Sequence, residues 1–129
     1  MTGEPSAAGA ARARRGRLTR AAEFDAVQQL GKSAAGRYLT LRYRAAEGGA
    51  EPRVGFAIPR KVGTAVDRNG LKRRLRDAVD RNGELLEPAT DYVLIARPGL
   101  PAAADAQGFD WLSEQVAEVL QAARQEPKR

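Results

Sequence analysis

Residues 53–76 read RVGFAIPRKVGTAVDRNGLKRRLR, and this stretch decides how the rest of the chain is interpreted. It begins with a short, mainly apolar segment that leads into Pro59, a residue that cannot donate a hydrogen bond to a sheet ladder. Further on, Leu71 and Leu75 lie four residues apart, which is the spacing of one face of a helix. The stretch therefore predicts a strand before Pro59 and a helix over about 67–82.

The basic charge of the protein is concentrated in the same stretch. Residues 53–76 hold 8 basic and 1 acidic side chains, while residues 1–52 carry a net charge of +4 and residues 77–129 a net charge of −5. The whole chain carries +6. An evenly solvated surface would not concentrate its cations in this way, so the distribution favours a polyanionic partner.

On the predicted helix, Arg68, Lys72 and Arg76 are four residues apart and share one face. Cations at this spacing repel each other by a few tenths of a kcal/mol per pair, so a helix that stacks them indicates binding of RNA or DNA. A solvated amphipathic helix is the alternative, and the pattern alone does not name the nucleic acid. The candidate binding residues are Arg60, Lys61, Arg68, Asn69, Lys72, Arg73 and Arg76.

Composition excludes several classes of site and of protein. The chain has no cysteine and no histidine, which excludes disulfides, Cys-based zinc sites, thiol nucleophiles and imidazole bases. No apolar run approaches the roughly 18 residues of a membrane span, and the N-terminus lacks the apolar core of a secretory signal. We therefore expect a cytoplasmic protein without a membrane partner.

The N-terminal half predicts an arm, a helix and a strand. Residues 1–16 are small residues, Pro and Arg, typical of a disordered basic arm. A helix is expected from Leu18-Thr19, with Thr19 as its cap and Gly31 ending it in the left-handed conformation. Alternation over residues 37–45 predicts a half-buried strand, paired antiparallel with the strand before Pro59.

The C-terminal half predicts a buried strand and a final helix. Tyr92–Ala96 is a continuous apolar run, as expected of a central strand. Pro98 and Pro101, with the alanines after them, predict a loop, and a helix follows over about 108–124. The order α-β-β(-β)-α-β-α, with a possible short strand over 59–64, predicts an α+β fold: a two-layer α/β sandwich on a small mixed sheet.

Several motifs in this order resemble the bacterial ribonuclease P protein family. The string RVGFAIPRKVGTAVDRNGLKRRLRDA is similar to the family's signature, and Arg17-Leu18, Glu23-Phe24, Gly31-Lys32-Ser33, Arg37-Tyr38 and the segment from Asp91 to Arg97 match on either side of it. The resemblance covers about residues 17–123. It implies a ribonuclease P protein domain over 17–124, between the N-terminal arm and a flexible C-terminus over 125–129.

The resemblance also implies a topology and two binding surfaces. The fold would be of the ribosomal protein S5 domain 2-like type, with a left-handed βαβ crossover around the basic helix. The candidate residues given above would contact the catalytic RNA. A cleft between the first helix and the open sheet face would hold the 5′ leader of precursor tRNA, with Phe24, Arg37, Tyr38, Thr40 and Arg42 as its residues. For Phe24, a place in the core fits the pattern equally well.

The resemblance implies a subunit that assists a catalytic RNA. The chain has no histidine and no tight carboxylate cluster, so phosphodiester hydrolysis would rest on Mg²⁺ bound mainly by ribonuclease P RNA. The expected partners are that RNA and precursor tRNA. A generic RNA-binding module and a metal-dependent nuclease acting alone are the alternatives. The chain departs from the family at Gly70, Thr64, Gln28 and Gly36, where Arg, Asn, an aromatic residue and Asn are common.

Overall fold

A computed structural model describes residues 16–18, 21–46 and 51–125, which form one five-stranded sheet with helices on both faces. The strands are β1 (Gly16–Arg17), β2 (Lys32–Ala35), β3 (Leu39–Ala45), β4 (Arg53–Ala57) and β5 (Thr90–Ala96). The helices are α1 (Ala21–Leu30), α2 (Ala65–Arg81), α3 (Leu100–Gln107) and α4 (Phe109–Arg124). The predicted N-terminal arm, apart from Gly16, and the predicted cap Thr19 lie outside the described residues.

The strands lie in the order β1-β4-β5-β3-β2, so the sheet is mixed. β5 pairs in parallel with β4 and antiparallel with β3. The predicted antiparallel pairing of β3 with β4 is therefore wrong, because β5 lies between them. Residues 92–94 are buried in succession, which fills both faces of the sheet at the centre and confirms the predicted central strand.

The chain passes from β4 to the parallel strand β5 through α2, as the resemblance implies for a βαβ unit. The hand of this crossover stays an expectation of the resemblance. A parallel pair of strands needs a long connection, and here the basic helix supplies it. Two side chains of α2, Lys72 and Arg76, line one pocket together with Arg17 of β1 and residues 54–56 of β4.

One face of the sheet, which we call the closed face, carries the main core. It is covered by α2, α3 and α4, and its buried side chains form a single cluster. The largest of them are Leu39, Leu41, Leu71, Leu75, Tyr92, Leu94, Leu100, Leu112 and Leu120. The opposite face, which we call the open face, carries α1 as its one helix among the described residues, with a cluster of three buried residues: Leu18, Val27 and Val93.

The start of α2 and the conformation of Gly31 differ from the expectation. α2 begins at Ala65, two residues earlier than expected, because Thr64 and Asp67 form a reciprocal capping box. α1 begins at Ala21, and Gly31 after it does not adopt a left-handed conformation. Glycine is required at 31 for space: an added Cβ would lie 2.5 Å from the carbonyl oxygen of Val27.

Two segments of the chain are helical where the sequence predicted otherwise. Residues 100–107 form α3 instead of a loop, because Pro101 lies in the first turn, where a missing N–H costs no hydrogen bond. The possible strand over 59–64 is a 3-10 turn at Arg60–Val62, anchored by the buried side chain of Val62. No helix of the described residues is long and apolar enough to cross a membrane.

Candidate nucleic-acid interface

The basic helix α2 buries one face and exposes the other, as its spacing predicts. Leu71, Leu75, Ala78 and Val79 are buried against the closed face. On the outer side, Asn69, Lys72 and Arg73 are exposed, and Arg68 and Arg76 are half-buried. The structure therefore brings the five predicted α2 residues together along the solvent-facing side of a single helix.

The cations of α2 divide into paired and unpaired groups. Arg74 donates to Asp105 of α3 at 2.9 Å, and Arg81 donates to Asp110 of α4 at 2.7 Å. Within the described part of the chain, Lys72, Arg73 and Arg76 form no ion pair. We call these three the unpaired flank. Cations that lack an acidic partner of this kind attract phosphate groups more strongly than neutralised ones do.

The unpaired flank continues into the turn that precedes α2. Arg60 and Lys61 are both exposed in the 3-10 turn, and the Nε of Arg68 donates to the carbonyl oxygen of Gly63 at 3.2 Å. This bond ties the side chain of Arg68 to the backbone that connects the turn to the helix. The predicted patch is thus one continuous surface, with Arg68 also stabilising the joint.

Two of the departures from the family lie at this surface. Thr64 performs the capping role that Asn also fills well, so the exchange preserves the helix start. Gly70 lies in the second turn of α2, and a Cβ added there would meet nothing within 4 Å. A larger side chain at position 70 therefore fits without rearrangement, and glycine is not required by the fold.

A second surface lies between α1 and the open face. Thr40 and Arg42 of β3 are paired in register with Ile95 and Val93, which belong to the cluster beneath α1. Paired residues of adjacent strands share a face. The structure therefore brings Thr40 and Arg42 to the cleft side, as predicted.

Phe24 is both a core residue and a cleft residue. Its ring lies on the backbone of Gly55 so closely that an added Cβ at 55 would come within 2.8 Å of it. It packs against the small cluster under α1 and is half-buried. One part of the ring therefore lies in the core and another part lies in the cleft, so both interpretations of the sequence apply to Phe24.

Arg42 carries a buried polar atom. Its Nε is buried, and among the described residues this atom has no hydrogen-bond partner. Burying a guanidinium N–H without a partner costs free energy. The residue as a whole is half-buried, so a ligand would meet the part of the side chain that remains exposed.

Arg37 and Tyr38 lie elsewhere than predicted. The ring of Tyr38 meets that of Trp111 of α4 edge-on, at 5.2 Å between centroids, and the guanidinium of Arg37 lies 5.4 Å from the centre of the Tyr38 ring. Tyr38 precedes β3, so the direction of its side chain does not follow the alternation of that strand. The prediction that its side chain shares a face with Thr40 is wrong.

Sequence reasoning missed an ionic network that joins α1 to the sheet. Arg53 of β4 donates to both carboxylate oxygens of Asp91 at 2.8 Å and to Glu23 of α1 at 3.0 Å. The hydrogen bonds to Asp91 raise the pKa of Arg53 above its usual value. Asp91 is buried, so this carboxylate depends on Arg53 for compensation. The network fixes the first turns of α1 over one edge of the open face.

The described residues do not fit a metal site held by the protein. Among them, no group of three or more Asp, Glu, His or Cys side chains lies close enough to hold a metal ion. Two acids beside the cleft, Glu23 and Asp91, are both bound to Arg53. The two surfaces described above instead present cations and the ring of Phe24.

Fold and site together define a small basic α/β sandwich in which a cation-rich helix lies beside an open sheet face. A sequence model of the Ribonuclease P family matches residues 13–124. A ribonuclease P protein component of Brevibacillus brevis is 42% identical over 86 residues, which are 67% of this chain and 68% of that one. One of Brucella suis is 39% identical over 90 residues, 63% of each chain.

Solved structures of ribonuclease P proteins are also similar to this chain. The ribonuclease P protein from Thermotoga maritima superposes with a TM-score of 0.74 at 29% identity, covering 86% of this chain and 98% of that one. A Staphylococcus aureus ribonuclease P protein mutant gives a TM-score of 0.72 at 25% identity, covering 92% and 94%. The chain belongs to the ribonuclease P protein family. This family is part of an endoribonuclease holoenzyme, and its members act in tRNA processing.

Proposed function

We propose that this subunit binds the catalytic RNA through α2 and holds the 5′ leader of precursor tRNA in the cleft between α1 and the open face. The observation that carries the proposal is the unpaired flank of α2. Its neighbours on the same helix, Arg74 and Arg81, are neutralised by acids of the protein. The cations of the unpaired flank have no acidic partner among the described residues, so they can bind an external polyanion.

The leader part of the proposal rests on the cleft. Phe24 offers the part of its ring that is not buried, the half-buried Arg42 offers a positive charge, and Thr40 offers a hydroxyl on the same face. Single-stranded RNA presents unstacked bases and phosphates to such a surface, whereas duplex RNA does not. Arg37 and Tyr38 would contact a leader only where it extends toward α4.

The protein contributes binding, and the RNA subunit carries the chemistry. Cations that neutralise repulsion between two RNAs, together with a grip on the leader, favour precursor over mature tRNA, which is differential binding. The Mg²⁺ ions belong in this proposal to the RNA subunit, as the resemblance to the family implies. Since precursor tRNA is processed in the bacterial cytoplasm, we propose a cytoplasmic location.

The test is cleavage of precursor tRNA at low Mg²⁺ by a bacterial ribonuclease P RNA, with and without the protein. The wild type should restore cleavage, and Arg68→Ala/Lys72→Ala should lose most of the stimulation. Arg74→Ala/Arg81→Ala removes the same charge from the same helix and should retain it, provided that thermal unfolding shows both variants folded. RNA binding by the wild type without stimulation would instead support a generic RNA-binding module.

A further inference from the structure

The first turn of α1 is attached to β4 at two points. Nη1 of Arg53 donates to Oε1 of Glu23 at 3.0 Å, and the ring of the next residue, Phe24, lies on the backbone of Gly55. Arg53 and Gly55 alternate along β4, so they lie on the same face about 7 Å apart. The two attachments together fix where the start of α1 lies over the open face.

The guanidinium of Arg53 is held in one orientation by its other contacts. Its Nε and Nη2 donate to the two carboxylate oxygens of Asp91, both at 2.8 Å, and a bidentate pair of this kind fixes the plane of the guanidinium. A Cβ added at Gly16 would lie 3.0 Å from Cγ of Arg53, so β1 packs closely against the stem of this side chain. Nη1 is therefore presented to Glu23 in a defined direction.

The two carboxylates bound to Arg53 differ in exposure. The side chain of Asp91 is 9% exposed and that of Glu23 is 34% exposed. An ion pair as exposed as the one with Glu23 contributes little to the free energy of unfolding. The contact with Asp91 therefore belongs to the fold, whereas the contact with Glu23 mainly sets the position of α1.

The position of α1 decides how the cleft is arranged. The sheet register places Arg42, Val93 and Gly55 side by side in one row on the open face. Arg42 is fixed to this row by its own strand, whereas Phe24 reaches the row from the helix and lies on Gly55. The distance between the Phe24 ring and Arg42 therefore depends on where the first turn of α1 is held.

We propose that Glu23, held by Arg53, is a positioning residue that places Phe24 for binding of the 5′ leader. The proposal rests on the proposed function and deepens it, because Glu23 would determine leader affinity by way of Phe24. As an acid, Glu23 repels an RNA strand, so removal of its charge alone should strengthen binding. Loss of the helix position should weaken binding, so the two effects have opposite signs.

The test uses the full-length protein reconstituted with a bacterial ribonuclease P RNA, and it measures affinity for precursor and for mature tRNA. Glu23→Ala should lower the ratio of these affinities about fivefold, the lower end of the value of one base stacked on an aromatic ring. Glu23→Gln removes the same charge but keeps an oxygen that can accept from Arg53, so it should lose less. Affinity for the RNA subunit should not fall in either variant.

Asp25 provides the matched control. It is an exposed acid of the same helix and forms no ion pair among the described residues. Asp25→Ala should therefore leave the ratio unchanged or raise it. If thermal unfolding shows that Glu23→Ala is not folded, the comparison is between Glu23→Gln, which should lower the ratio, and Asp25→Asn, which should not.

A double-mutant cycle shows whether Glu23 acts through Phe24. Phe24→Leu keeps an apolar side chain under α1 but removes the ring on which a base would stack. Adding Glu23→Ala to this variant should cause little further loss, because the two changes affect the same contact. Multiplicative losses would contradict the proposal, since Glu23 would then affect the leader by another route.

Two further results would overturn the proposal while the proposed function stands. One is a ratio for Glu23→Ala that equals or exceeds that of Asp25→Ala. The other is an equal loss for Glu23→Ala and Glu23→Gln, because the hydrogen bond from Arg53 would then have no part in leader binding. If the wild type itself does not prefer precursor tRNA, the proposed function fails, and the role of Glu23 fails with it.

Discussion

The two faces of the sheet differ in what covers them. On the closed face, three helices bury a continuous cluster that includes Leu71, Leu75 and Leu94. On the open face, the described part of the structure has one helix, α1, and a small cluster of Leu18, Val27 and Val93, and Arg42 there has a buried Nε without a hydrogen-bond partner among the described residues. Stability is therefore concentrated on one face, which leaves the other available for a ligand.

Two adjacent residues of β5 give the strongest test of the difference in stability between the two faces. Leu94 is buried in the closed-face core, and Ile95, pointing the other way, is only partly buried under α1. Leu94→Ala should lower the free energy of unfolding by about 3 kcal/mol, and Ile95→Ala by about 1 kcal/mol. Urea titration of both variants measures this. Equal losses would mean that the open face carries as much of the stability as the closed one.

A second test compares the partly buried ionic network at the edge of α1 with an exposed ion pair. Arg53→Met keeps the aliphatic stem but leaves the buried carboxylate of Asp91 without its hydrogen-bond donors, so it should cost about 1–3 kcal/mol. Arg124→Met breaks the ion pair with Glu87, whose side chains are 43% and 40% exposed, and should cost less than about 0.5 kcal/mol. Thermal unfolding of the two variants separates them, and a ranking in the opposite order would show that Asp91 does not depend on Arg53.

Replacing Gly70, which lies on the basic helix α2, should increase the stability of the protein. Nothing lies within 4 Å of an added Cβ, so Gly70→Ala should raise the free energy of unfolding by about 0.5–1 kcal/mol. Gly70→Arg should in addition strengthen RNA binding, because it adds a cation near the unpaired flank. Gly31→Ala is the contrasting glycine and should destabilise the protein. Destabilisation by Gly70→Ala would contradict the open surroundings described here.

The smallest expected effect concerns alkaline pH. Tyr92 lies in the closed-face core, where burial raises the pKa of its phenol above the usual 10.0. The folded state therefore keeps a proton that the unfolded state has lost, so stability falls as pH rises above about 10. Tyr92→Phe should flatten this part of the curve of unfolding free energy against pH between 9 and 11. An unchanged slope would mean that Tyr92 ionises as easily in the folded protein as in the unfolded chain.

Elements with a strong periodic signal could be predicted from the sequence. The basic helix and the central strand combine regular spacing with buried apolar side chains, and both are present within a few residues of the expected bounds. The family resemblance, carried by motifs on these elements, is confirmed by the family match. Long periodic segments are the part of a fold that local sequence determines best.

The errors have physical causes. β1 and β2 have two and four residues, too few for alternation to be visible. The pairing of β3 failed because a hairpin was inferred from closeness in sequence, whereas the parallel connection through α2 brings β5 between the two strands. α3 was missed although its signal was present: Pro101 at a permitted helix position is followed by three alanines, the strongest helix formers.

The site was predicted unevenly for a similar reason. Helical spacing determines which residues of α2 share a side, so the sequence could predict that Arg68, Lys72 and Arg76 lie together. Tyr38 was misplaced because it lies just outside the strand whose alternation was extended to it. The network of Glu23, Arg53 and Asp91 joins three elements distant in sequence, and without the sheet register nothing indicated that they meet.

The central claim is that the unpaired cations of α2 bind RNA. The salt dependence of the affinity for RNA tests this claim most directly. Affinity for ribonuclease P RNA would be measured across a range of salt concentrations for the wild type, Lys72→Ala/Arg76→Ala and Arg74→Ala/Arg81→Ala. Each phosphate contact contributes about 0.7–0.9 to the slope of log affinity against log salt. The first double variant should lose about 1.5 units of slope and the second almost none. Equal losses, or a larger loss on removing the paired arginines, would contradict the account.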